Sequence, residues 1–154
     1  MPTPLRWGAA AVTAAALLIY FSIQAQAVRD RILQDVTVNT EWNYVSVNIS
    51  FTCPIRYVNY FPHRASTELR IKMELLRVCT VNGDAAARRE SVRPRNRKAA
   101  NLIEVVYEGD IAGGPYLTLL FEHAVSFDVL QGSDFRSMTV TLDRQTGRQA
   151  IEER

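Results

Sequence analysis

The chain has 154 residues, 18 lysines and arginines against 16 aspartates and glutamates, a net charge of +2 and 47% hydrophobic residues. That length suits one domain, and so mild a charge excludes a histone-like or polybasic protein, so no nucleic-acid partner is expected. Two cysteines are too few for a multi-disulfide scaffold or a cysteine-only zinc site, and 7 glycines with 6 prolines are too few for a disordered linker protein.

The first element in chain order is a leader. Arg6 is the only charge before Arg29, an apolar run extends from Trp7 to Ile23, and Ala25-Gln26-Ala27 follows. A basic start, an apolar middle and an A-x-A end describe a secretory signal peptide over residues 1–27. The alternative is an uncleaved anchor, since the run is just long enough to span a membrane; membrane contact is then confined to this segment. No cysteine follows the run, which argues against a lipoprotein anchor. The expected location is the periplasm. Removing the leader takes away Arg6 alone and leaves 17 basic and 16 acidic residues, so any basicity that matters must be local.

The remainder, 28–154, repeats itself. Val45 to Phe51 alternates apolar and polar residues, and Tyr116 to Phe121 does so less strictly; period two is the strand signal. Cys53-Pro54-Ile55-Arg56-Tyr57 matches His123-Ala124-Val125-Ser126-Phe127. A polar turn comes next, near Pro62-His63 in one copy and Gly132-Ser133 in the other. Leu69, Ile71 and Met73 then match Met138, Val140 and Leu142. The offset is 70 residues at Phe51/Phe121 and 69 at Leu69/Met138, which places a one-residue insertion in the turn. Upstream, Val36-Thr37-Val38 before the turn at Thr40–Asn43 matches Val105-Val106-Tyr107 before the glycine turn Gly109–Gly114.

Each copy, about 32–76 and 102–143, predicts four strands. The expected fold is all-β: a β-sandwich of two pseudo-symmetric antiparallel halves, about eight strands, each half burying its apolar face against the other. Val47, Ile49, Phe51, Ile71, Leu117, Leu119, Phe121 and Val140 are expected to point inward. A helix over Arg64–Cys79 is the rival for that stretch, and the β-rich partner segment argues against it. Residues 81–100 are rich in arginine and alanine and predict a solvated loop or short helix joining the copies. The final stretch from Gln145 is polar and charged and is expected to fray.

Cys53 and Cys79 follow two strands of the same copy, and the second copy has no cysteine. In an oxidising compartment the pairing Cys53–Cys79 is expected as a structural disulfide, since a redox pair needs closer spacing and an electropositive neighbourhood.

Catalytic signatures are missing. The two histidines, His63 and His123, are fewer than the three protein ligands of a typical catalytic zinc. There is no H-E-x-x-H, G-x-S-x-G, P-loop or G-x-G-x-x-G motif. His123, Ser126 and Asp128 lie on one predicted strand, where a spacing of five puts His123 and Asp128 on opposite faces. No enzyme activity, cofactor or metal is expected. Asn48-Ile49-Ser50 matches a glycosylation sequon but sits in mid-strand.

Recognition features remain. Arg56 to Arg64 contains Tyr57, Tyr60 and Phe61 between two arginines; aromatic faces stack on sugars and arginine forks grip carboxylates. The equally simple reading packs Tyr57 and Phe61 into the core. Arg88, Arg89, Arg93, Arg95, Arg97 and Lys98 form a basic cluster opposed by Glu90, suited to an anionic partner or to plain solvation. Arg70 and Arg136 sit at similar places in the two copies and would suit a symmetric anionic ligand. The candidate binding residues are therefore Arg56, Tyr57, Tyr60, Arg70 and Arg136.

The segments V-x-V-x-I-x-F-x-C-P-I-R-Y (Val45–Tyr57) with L-R-I-K-M (Leu69–Met73), and Y-L-T-L-L-F-x-x-A-V-S-F (Tyr116–Phe127) with M-T-V-T-L (Met138–Leu142), resemble the two halves of the AMIN domain of the bacterial cell envelope. The resemblance implies a β-sandwich that targets peptidoglycan or the division and pole sites. It does not account for the cysteines, the arginine-rich loop or the absence of an attached amidase or secretin. The expected function is an exported, non-enzymatic envelope-binding module with peptidoglycan as partner. The alternative is a protein-interaction subunit of an envelope assembly that uses an open sheet edge.

Overall fold

The computed structural model describes residues 31–79, 81 and 83–143. The expected leader and the polar stretch from Gln145 lie outside them. The strands are β1 (Leu33–Thr40), β2 (Tyr44–Phe51), β3 (Ile55–Phe61), β4 (Ser66–Leu75), β5 (Arg89–Val92), β6 (Leu102–Glu108), β7 (Tyr116–Val125), β8 (Phe127–Gln131) and β9 (Ser137–Asp143). A short helix α1 (Gly83–Ala86) and a 3-10 turn (Arg97–Ala100) flank β5. Among the described residues no helix is long and apolar enough to cross a membrane.

The strands make two antiparallel sheets, β1-β2-β9-β8 and β3-β4-β7-β6-β5, here sheets I and II. The protein is an all-β sandwich. Alternation decides which residues face in, because successive side chains of a strand point to opposite faces. All eight residues expected to point inward are buried, from Val47 at 0% exposure to Phe121 at 3%. Arg64–Cys79 contains strand β4 rather than a helix.

The halves do not each form one sheet. Each copy sends its first hairpin to one sheet and its second to the other, so sheet I holds β1-β2 with β8-β9 and sheet II holds β3-β4 with β6-β7. The exchange is visible in the registers. Val47 faces Val140 and Ile49 faces Met138 across β2–β9; Leu117 faces Ile71 and Leu119 faces Leu69 across β7–β4. A hairpin of each copy thus pairs with a hairpin of the other, which buries both apolar faces in one core.

The one-residue offset lies inside β3, not in the turn. Tyr57 pairs with Met73, but the next pair is Asn59 with Lys72, and Val58 is skipped. In the other copy Phe127, Asp128 and Val129 pair without interruption with Leu142, Thr141 and Val140. Val58 is a β-bulge, one residue left unpaired, and it is 41% exposed.

The connector is also more ordered than its composition predicts. Arg89–Val92 pairs with Glu108–Val105 and adds a ninth strand on the edge of sheet II. The reason is tertiary. Both oxygens of Glu90 accept backbone N–H bonds at the start of β1, from Ile32 at 2.8 Å and Leu33 at 2.9 Å. One carboxylate therefore joins the two sheets along one side of the sandwich. Gln131 does the same on the other side, accepting from the Tyr57 N–H and donating to the Ile55 carbonyl, each at 2.8 Å. The approach of α1 needs a glycine: a Cβ on Gly109 would lie 1.9 Å from the Ala86 carbonyl oxygen. Cys53, in the β2–β3 crossover, and Cys79, after β4, form a disulfide.

Candidate functional site

The two sheets present different chemistry. The strands of sheet I carry no lysine, arginine or histidine; their charges are Asp35, Asp128 and Asp143. The outer face of this sheet is built of Ser46, Asn48, Ser50, Ser137, Thr139 and Thr141, with Thr139 Oγ1 donating to Asn48 Oδ1 at 2.9 Å. Sheet II is crossed by ion pairs. Arg70 Nη2 lies 2.8 Å from Glu108 Oε2, Arg89 Nη1 lies 3.3 Å from Glu108 Oε1, and Thr118 Oγ1 donates to Glu108 at 2.7 Å. Burial pushes the Glu108 carboxyl up, but the Arg70 and Thr118 hydrogen bonds and the Arg70 and Arg89 charges outweigh it and hold the group below the usual carboxylate range.

At one corner of sheet I lies a depression of about 380 Å³ lined by Asn43, Tyr44, Ser126, Phe127, Asp128, Thr141 and Asp143. Strand register assembles it. Tyr44 faces Asp143 across β2–β9, and Thr141 faces Asp128 across β9–β8. Directly opposed residues have Cβ atoms about 5 Å apart, so these four make one patch on the outer face. The chain leaves sheet II for sheet I at Ser126, which brings Phe127 to the rim from behind. Tyr44 is 43% exposed, and Trp42, in the same hairpin turn, is 91% exposed. The site combines an aromatic ring, hydroxyl and amide hydrogen-bonders and carboxylates. That mixture suits the flat apolar face and polar rim of a sugar.

The residues singled out from the sequence do not converge on one surface. Arg56 pairs with Glu74. Arg70 is committed to Glu108, and its guanidinium lies 5.0 Å from the centre of the Tyr116 ring. Its counterpart in the other copy by register is Thr139, not Arg136, because Arg70 faces Thr118 as Thr139 faces Asn48. Arg136 lies in the β8–β9 turn and donates to the Thr52 carbonyl. Tyr57 and Tyr60 are half-buried against the core. Tyr60 packs edge-on to Phe127 with ring centres 5.9 Å apart, and Phe127 stacks on Phe121 at 6.5 Å. The Tyr57 hydroxyl is pushed above its ordinary value by burial first, then by Tyr60 and Asp128. Tyr60 therefore packs behind Phe127 at the rim of the depression.

His123 is exposed near the end of β7, and Asp128 lies on β8 in the other sheet, so the two are on different strands rather than one. Within the basic cluster, Arg89 pairs with Glu108 and Arg93 with Glu104. Among the described residues no group of three or more His, Cys, Asp or Glu side chains is placed to hold a metal.

Sequence reasoning passed over Tyr44, Thr141 and Asp143 because they come from segments about a hundred residues apart. One signal was available. Aligning the copies sets Ser126 against Arg56, Thr141 against Lys72 and Asp143 against Glu74, so the second hairpin of one copy carries cations where that of the other has hydroxyls. Compared with known proteins, the chain matches no family model, no curated protein and no solved structure.

Proposed function

We propose that this protein is an exported, non-enzymatic binding module of the bacterial cell envelope, and that its ligand is a glycan, peptidoglycan first. The observation that carries the reading is the depression at the β2–β9–β8 corner. It sets Tyr44 beside Asn43, Thr141, Asp128 and Asp143 on the outer face of a sheet whose strands carry no cation, with Phe127 at the rim. Aromatic rings stack on the C–H face of a pyranose, and short polar side chains satisfy its hydroxyls. The leader pattern supports export, the disulfide fits an oxidising compartment, and the resemblance to AMIN domains supports the envelope as the setting.

The test is co-sedimentation of the purified protein with peptidoglycan sacculi across a salt series. Binding that persists at high salt and falls on Tyr44→Ala supports a specific glycan site. Binding lost with modest salt assigns the attraction to the basic connector. No binding at any salt refutes peptidoglycan as ligand. The second reading is a protein adaptor, favoured by β1, an eight-residue edge strand. A partner that co-purifies after complete wall digestion would put that reading first.

A further inference from the structure

The two copies supply an internal control for the depression. The same corner exists on sheet II, built from the equivalent positions of the other copy. There Lys72 stands where sheet I has Thr141, Asn59 where it has Asp128, and Glu74 where it has Asp143. Arg56 stands where sheet I has Ser126, whose carbonyl accepts the Asp143 N–H. On sheet II the corner carries its own cations: Arg56 pairs with Glu74, and Lys72 stands beside them on the same face. On sheet I both cations are replaced by hydroxyl residues, a second carboxylate is added, and the corner is open.

We propose that the sheet I depression binds a ligand bearing a primary ammonium group, and that this cation takes the place of the arginine and lysine at the twin corner. Three observations converge. Among the described residues the lining holds no cation, and none occurs in the strands of sheet I. Asp128 is exposed, and it accepts a hydrogen bond from the adjacent Val129 N–H at 3.0 Å. Tyr44 presents an aromatic ring on the same face, and ammonium groups are attracted to aromatic faces as well as to carboxylates. Asp143 already takes part in another interaction, so the argument rests on Asp128 and on the absence of cations among the described lining residues rather than on Asp143. An anionic group, such as a phosphate or a free peptide carboxylate, is disfavoured at the same place by like charge.

The inference rests on reading the depression as a ligand site, and it selects within the glycan class. A free amine occurs in a wall polymer on a de-N-acetylated amino sugar or on the side chain of a diamino acid. The shared chemistry is the ammonium, and the two sources are separable by experiment.

Full-length protein is titrated, by calorimetry or amide chemical shifts, with a glucosamine tetramer, an N-acetylglucosamine tetramer and lysine amide. The glucosamine tetramer is expected to bind about three- to tenfold tighter than its acetylated form, the range for one partly exposed charge pair with a cation–π contact. Asp128→Asn and Ser126→Arg are both expected to erase that preference. The second substitution returns the twin corner's arginine, and circular dichroism confirms that each variant is folded. Lysine amide binding that depends on Asp128, without preference between the tetramers, keeps the ammonium and assigns it to a diamino acid. Equal binding of the tetramers with no lysine amide binding, or a preference that survives both substitutions, overturns the ammonium assignment. If the acetylated tetramer still binds and is lost with Tyr44→Ala, the glycan reading survives that result. If no probe binds, the ammonium assignment fails, and sacculus co-sedimentation decides the glycan reading separately.

Discussion

Replacing Glu90 by alanine tests whether one side chain holds the sheets together along the β1–β5 side. Its oxygens accept from Ile32 at 2.8 Å and Leu33 at 2.9 Å. Both donors belong to residues with 0% exposure, and the Glu90 side chain is only 8% exposed. A hydrogen bond to a charged group contributes about 1.5–3 kcal/mol, and a buried donor left unpaired costs about as much as the bond was worth. Two such bonds suggest about 3–6 kcal/mol. Water entering the space left by the side chain would recover part of this and bring the loss to about 3–4 kcal/mol. For a domain of this size each kcal/mol moves the midpoint by about 3–5 °C, so Glu90→Ala is expected to melt about 10–15 °C lower. Glu90→Gln keeps one acceptor oxygen and should lose about half as much. The assay is urea unfolding with thermal melts as a second readout. An alanine variant within about 1 kcal/mol of wild type at an unchanged urea slope would refute the reasoning, because the two N–H groups would then have had other partners or ready water.

The disulfide prediction follows from loop length. Cys53 and Cys79 are 26 residues apart, and closing such a loop stabilises by about 3–4 kcal/mol in the chain-entropy model. Adding reductant should lower the melting point of wild type and leave that of the Cys53→Ser/Cys79→Ser double variant unchanged; a wild type insensitive to reductant under unfolding conditions contradicts it. Glu108 predicts an acid-side effect. Its folded carboxyl titrates below the unfolded value of about 4.3. The stability it contributes is therefore present at neutral pH and is lost as pH falls through the folded value. Glu108→Gln should cost about 1–2 kcal/mol at pH 7 and flatten stability against pH below about pH 5. An acid limb as steep as that of wild type would show that other carboxyls carry it.

Much of the fold was legible because its causes are local. A strand's alternation needs only its own residues, so Val47, Ile49, Phe51 and their counterparts Leu117, Leu119 and Phe121 announced both the strands and the core face. The repeat was legible for the same reason, down to the one-residue offset, although a bulge at Val58 looks identical in sequence to an insertion in the turn. The candidate site was less legible. Arg56 and Arg70 carried the right chemistry for ligands, but whether an arginine is available depends on the acids opposite it, and Glu74 and Glu108 are brought there by pairing.

The amino-acid sequence by itself determined the all-β class, the inward-facing residues and the cysteine pairing, because period-two patterning and the presence of only two cysteines leave little choice. Only the tertiary structure decided that the halves exchange hairpins between sheets, that Arg89–Val92 becomes a strand, and that Tyr44, Asp128 and Thr141 meet at an open corner. The physical reason is that a strand's choice of neighbour is set by the burial of whole faces against one another. That energy belongs to pairs of distant segments and is written in neither segment alone.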